Sequence, residues 1–128
     1  MHQQRNTKQK QVIEAMLKQA GRPLLPNELL SKAQESLPQL GVATVFRTLK
    51  KMVDEGTAKV VCLPGDSARY EPSDLTHHHH FKCSECESVF DLNGCPGHLE
   101  NLLPKGFHLT DHEITLFGHC ADCSAGHT

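Results

Sequence analysis

The chain has 128 residues, enough for one domain or two small ones, and its formal charge of −2 excludes a uniformly basic nucleic-acid binder. Six cysteines and ten histidines stand out against five Phe, one Tyr and no Trp. The polar start MHQQRNTKQKQ lacks the apolar centre of a signal peptide, and no run is long enough for a membrane helix. A soluble, cytoplasmic protein whose cysteines hold metal, not disulfides, is expected.

The first helix is expected to start with Thr7 as its cap and to run through KQKQVIEAMLKQ, with Val12, Ile13, Met16 and Leu17 on one face. GRP at 21–23 ends it. PNELLSKAQESL predicts a second helix with Pro26 in its first turn and Leu29, Leu30, Ala33 and Leu37 apolar. VATVFRTLKKMVDEG predicts a third, in which Val42, Val45, Leu49, Met52 and Val53 repeat at helical spacing and Gly56 is the stop. Two β-like runs follow, TAKVVCL and ARYEP, around the turn PGDS. Three helices and a hairpin make the winged-helix order.

Thr44, Arg47, Thr48, Lys50 and Lys51 lie between the apolar positions of the third helix, and Arg5, Lys8 and Lys10 add charge nearby. A solvated charged face would look the same by composition. On the helix that a helix-turn-helix inserts, these side chains can instead reach guanine edges and phosphates of double-stranded DNA.

EPSDLT at 71–76 breaks both periodicities and reads as a linker. The expected division is a winged-helix domain at 1–72, a hinge at 73–76 and a metal-binding dimerisation domain at 77–128. In the second half HHFKC and SVFDL predict two strands around SECE, and CPGHLENLLP a short helix. GFHLTDHEITLFGHC predicts a long final strand, with Leu109, Ile114, Leu116 and Phe117 for a core or a subunit contact. The fold class is therefore α+β, and the second domain has little interior of its own.

The chemistry concentrates in that half. Cys83–Cys86 and Cys120–Cys123 are two Cys-x-x-C pairs that can close one tetrahedral zinc site without an open position, which suits structure and not catalysis. Four consecutive histidines precede the first pair. On a strand His77 and His79 point one way and His78 and His80 the other, giving pairs for two further sites. Glu71 and Asp91 are nearby oxygen donors, and His98 and His112 would complete a four-ligand set with His77 and His79. Cys62 and Cys95, each alone, read more readily as small buried apolar side chains than as ligands.

RNTKQKQVIEAML, GVATVFRTLKKMVDEG, RYEPSDLTHHHHFKCSEC and HEITLFGHCADC together resemble the ferric uptake regulator family of metal-responsive repressors, over nearly the whole chain. The resemblance implies a winged helix, a hinge and an α/β dimerisation domain. It also implies a homodimer that binds a palindromic DNA operator when loaded with metal, repressing metal-uptake genes without enzyme activity. By the same resemblance Cys83, Cys86, Cys120 and Cys123 hold structural zinc. Glu71, His78, His80 and Asp91 form the regulatory site, and His77, His79, His98 and His112 a further one. Thr44, Phe46 and Arg47 match the DNA-reading positions, with Lys10 the basic position of the first helix and Lys50 beside them on the third.

One departure bears on the effector. Iron- and peroxide-sensing members supply a histidine from the stretch that here reads GRPLLPNE, where Pro23 stands. Cys62 is the candidate substitute, and a sulfur ligand shifts preference towards zinc, as in zinc-sensing members, with iron the alternative. A peroxide sensor is a further alternative within the family. Outside it, a metal-buffering protein would use the ligands but leave the third helix unexplained. A zinc enzyme would need an open site, for which Glu113 beside His112 is a thin candidate.

Overall fold

The computed structural model describes residues 2–125, with side chains from residue 7 on, so the side chain of Arg5 lies outside the described residues. The chain forms two compact units, Met1–Leu75 and Thr76–Thr128.

The first unit holds α1 (His2–Ala20), α2 (Pro26–Ala33), α3 (Val42–Glu55), β1 (Ala58–Val61) and β2 (Arg69–Pro72). α1 begins before Thr7, which corrects the expected cap. The polar run ahead of it has no apolar stripe, but Gln, Arg and Lys are good helix formers. α2 ends at Ala33, short of the expected Leu37, with Gln34 as its C-cap, its amide bonded to the Leu30 carbonyl at 2.9 Å, and residues 34–36 continuing as turn. At its start the Glu28 carboxylate accepts the Leu25 amide at 2.9 Å.

Apolar faces of the three helices meet in one core, with Ile13, Leu17, Leu29, Val45, Leu49 and Met52 all at most 1% exposed. The wing is an antiparallel hairpin in which Lys59 pairs with Glu71 and Val61 with Arg69. Leu24 adds a bridge to Tyr70 through two backbone hydrogen bonds of 2.9 Å, so the segment after α1 becomes a third strand position of the wing. Arg69, 2% exposed, ties the wing to α2: its Nε donates to Asp66 at 2.5 Å and its Nη1 to Glu28 at 3.2 Å.

The second unit holds β3 (His79–Cys83), β4 (Val89–Leu92), β5 (Thr115–Gly118) and α4 (Ala121–Ser124), with a 3-10 turn at Leu99–Leu102. β3 is central, antiparallel to β4 and parallel to β5. The long final strand expected over 106–120 is confined to four residues. An edge strand extends only as far as its partner, and β3 is itself five residues long. Among the described residues of this unit only Cys83 and Val89 are fully buried apolar side chains, whereas Leu102, Phe107, Leu116 and Phe117 are at least half exposed. No helix among the described residues is long and apolar enough to cross a membrane.

Candidate metal centres and nucleic-acid interface

α3 presents two faces. Val45, Leu49 and Met52 face the core, leaving Val42, Phe46, Arg47 and Lys50 exposed on the other side. Phe46 is 50% exposed, and Arg47 Nη2 donates to Thr44 Oγ1 at 3.1 Å, which orients the guanidinium along the helix. A large apolar ring beside a cation, both facing outward from a helix, suits contact with a thymine methyl and a guanine edge. Lys10 behaves differently: its Nζ lies 3.0 Å from both carboxylate oxygens of Glu55. Such a half-exposed pair is worth about 0–1 kcal/mol, little enough to be exchanged for a phosphate.

The four sulfurs of Cys83, Cys86, Cys120 and Cys123 lie within 4.8 Å of one another. β3 ends on Cys83, and parallel pairing with β5 sets Cys83 opposite Gly118, two residues before Cys120. α4 then returns Cys123 to the same place. Cys86 Sγ and Cys120 Sγ are 3.8 Å apart. A zinc–sulfur bond of about 2.3 Å gives a tetrahedral sulfur–sulfur edge of about 3.8 Å, so the donor set has the dimensions of a zinc site.

The electrostatics point the same way. Amide hydrogen bonds from Cys86 and Cys120, the latter at 3.4 Å, hold the Cys83 thiol down to about 6. Ser88 lowers Cys86 through its side chain and amide. The neighbouring Cys120 and Cys83 side chains push Cys123 well above the ordinary thiol range. Without a cation the four sulfurs compete for negative charge, and a divalent ion removes that conflict.

On β3 the histidines divide as expected, although the strand proper begins only at His79. His78 and His80 take one face, their rings 4.9 Å apart. Asp91 is the register partner of His80, and its Oδ1 lies 3.4 Å from His80 Nε2 and 3.5 Å from His78 Nε2. His78 Nδ1 is 2.7 Å from the Thr76 carbonyl, which places the proton on Nδ1 and leaves the Nε2 lone pair facing Asp91. That tautomer is the one a metal ligand needs.

His77 and His79 take the other face, with ring centroids 4.6 Å apart. His112 joins them, its Nε2 3.1 Å from His77 Nε2. Burial first, and then the charges of His77 and His112, lower the pKa of His79.

Three expectations are corrected. His98 does not join His77, His79 and His112; it is 84% exposed and faces Glu100 at 3.8 Å, while Cys95 stands in the set. Cys62 does not stand with Glu71. The register pairs Glu71 with Lys59, three residues back along β1, or roughly 10 Å at strand spacing, and Cys62 is exposed. Neither Cys62 nor Cys95 is a buried apolar side chain; both are exposed. Glu71 itself is buried on β2.

A winged helix followed by a unit built around cysteine and histidine clusters defines a metal-responsive DNA-binding regulator. The chain belongs to the ferric uptake regulator family, whose sequence profile matches residues 2–117. The family's members are transcription regulators that bind DNA as dimers. The ferric uptake regulation protein of Campylobacter jejuni is 29% identical over 92% of this chain and 78% of its own length. A zinc-bound manganese uptake regulator superposes with a TM-score of 0.75 at 26% identity, covering 88% of this chain and 87% of that one. A zinc uptake regulator of M. tuberculosis superposes with a TM-score of 0.53 at 27% identity, over 93% of this chain and 95% of that one.

Proposed function

We propose that this chain is a zinc-responsive repressor of metal-uptake genes, acting as a homodimer on a palindromic operator. The regulatory ion enters at His78, His80 and Asp91, with Glu71 as the ligand that the family resemblance assigns to the winged-helix side. The observation that carries the regulatory site is the convergence of the three donors, with Asp91 Oδ1 at 3.4 Å from His80 Nε2 and 3.5 Å from His78 Nε2, within reach of one ion. Three donors with Glu71 make four, the tetrahedral number, and Pro23 stands where iron sensors offer a further histidine.

The structural role goes to the four cysteines. A metal there supplies no reaction, only a fixed crossing of β3, β5 and α4. The regulatory ion supplies a second constraint: it draws its ligands into one geometry, and a dimer so constrained presents both copies of α3 at one operator spacing. Metal and DNA affinities are then coupled, by about 1–3 kcal/mol in typical systems. β5 is an edge strand carrying exposed Leu116 and Phe117, the kind of surface a second copy covers.

The test is His80→Ala. It should lose zinc-stimulated operator binding while keeping the structural zinc and the dimer. Unchanged stimulation, or collapse of the fold, would remove the regulatory role of this set. Ferrous iron is the second reading. The curated relatives are ferric uptake regulation proteins, and His78, His80 and Asp91 contribute no sulfur.

A further inference from the structure

We propose that Cys95 completes the outward-facing histidine set, giving a three-histidine, one-thiolate site for a thiophilic divalent cation such as zinc. Its Sγ lies 3.1 Å from His112 Nε2, which is in turn 3.1 Å from His77 Nε2. All four donors fall within 4.8 Å of one another. Tetrahedral zinc would set nitrogen–nitrogen edges near 3.3 Å and nitrogen–sulfur edges near 3.6 Å, so these two contacts would open by about half an ångström or less around a cation.

A second, independent observation comes from His79. The residue is 3% exposed, and its Nε2 is buried without a hydrogen-bond partner among the described residues. Its Nδ1 accepts the Ile114 amide at 3.2 Å. With Nδ1 accepting, the ring proton sits on Nε2, where burial leaves it without an acceptor at a free-energy cost. A cation at Nε2 moves that proton to Nδ1, at the expense of the long Ile114 bond. That nitrogen stands beside two other imidazoles and a thiol, so a cation bound there would replace a buried N–H that has no acceptor with a ligand bond.

Cys95 reaches the set because of the turn between β4 and the 3-10 segment. Gly94 and Gly97 both take positive φ, 124° and 69°, conformations that L side chains rarely adopt, and Pro96 stiffens the bend between them. The chain doubles back at Cys95 and delivers His98 to solvent. The four ligands come from the lead into β3, β3 itself, this turn and the segment before β5. A cation would thus tie together three stretches of a unit that has little buried apolar surface. Sulfur in the set biases it towards zinc and away from ions that prefer oxygen.

No DNA enters the test, so its outcome is independent of which metal is the effector. Full-length protein retaining its structural zinc is alkylated with iodoacetamide, with added zinc or with a chelator too weak to strip the four-cysteine site, and each cysteine is read by peptide mass mapping. Exposed Cys62 is the internal control. Zinc should slow Cys95 alkylation by at least about tenfold, because a coordinated thiolate is a poor nucleophile, and leave Cys62 unchanged. Protection should survive in His98→Ala and disappear in His112→Ala. Cobalt should give a thiolate charge-transfer band that Cys95→Ser diminishes. Cys95 as reactive as Cys62 in saturating zinc, or protection that depends on His98, would overturn the assignment. Should His112→Ala fail to fold, the native protein and His98→Ala decide the matter alone.

Discussion

Cys83→Ser should unfold the second unit and spare the first. Of the fully buried apolar side chains described, that unit holds only Cys83 and Val89. Complete burial of a valine contributes about 1.5–3 kcal/mol. Zinc bound by four cysteines contributes about 10–16 kcal/mol of folding free energy at neutral pH, several times more. Cys83 is also the best-supported of the four, with its sulfur accepting the Cys86 and Cys120 amides and its thiol held down to about 6. Serine binds zinc weakly and cannot ionise there, so the variant forfeits most of that contribution, which is comparable with the whole net stability of a typical domain, about 5–15 kcal/mol. The assay is limited proteolysis with mass mapping, alongside elemental analysis of zinc. New cleavages should appear between residues 77 and 125 while residues up to 75 stay resistant. A variant that keeps a zinc per chain and the native cleavage pattern would refute the reasoning.

Further outcomes follow from other parts of the chain. Arg69→Met removes the buried guanidinium that joins Asp66 and Glu28, a class of change that costs about 3–5 kcal/mol. The winged-helix unit should melt more than about 10 °C lower by differential scanning calorimetry, and an unchanged transition would contradict the reading. Arg47→Ala should weaken operator binding by about 1–3 kcal/mol in a shift assay with zinc content unaltered; undiminished affinity would remove α3 from the interface. Phe117→Glu places a charge on the exposed apolar edge of β5 and should yield monomers by analytical ultracentrifugation. A persistent dimer would move the interface elsewhere.

Much of this was legible because the informative residues sit at fixed offsets. Cys-x-x-C pairs and a strand's two-residue period place ligands by counting alone, so the cysteine set and the division of His77/His79 from His78/His80 need no tertiary information. The apolar spacing of α3 likewise exposes Phe46 and Arg47. What stayed hidden depends on backbone reversals and distant partners. Whether Cys95 or His98 turns inward is decided by Gly94 and Gly97 at positive φ, and neighbouring residues in a turn have no period to read. The place of Cys62 depends on strand register, which slides it away from Glu71. The Leu24–Tyr70 bridge and the Lys10–Glu55 pair join residues 45 or more positions apart, with no local signature. α4 is too short to show periodicity, and its role is to return Cys123 to the cluster.

The most direct test of the account is operator binding by the purified dimer, with its structural zinc retained, against buffered free zinc and, anaerobically, free ferrous iron. Zinc should switch binding on at a far lower free concentration than iron, and His80→Ala should abolish the zinc response. Binding restored by iron alone would contradict zinc as the effector, and binding indifferent to either metal would contradict metal-responsive repression itself.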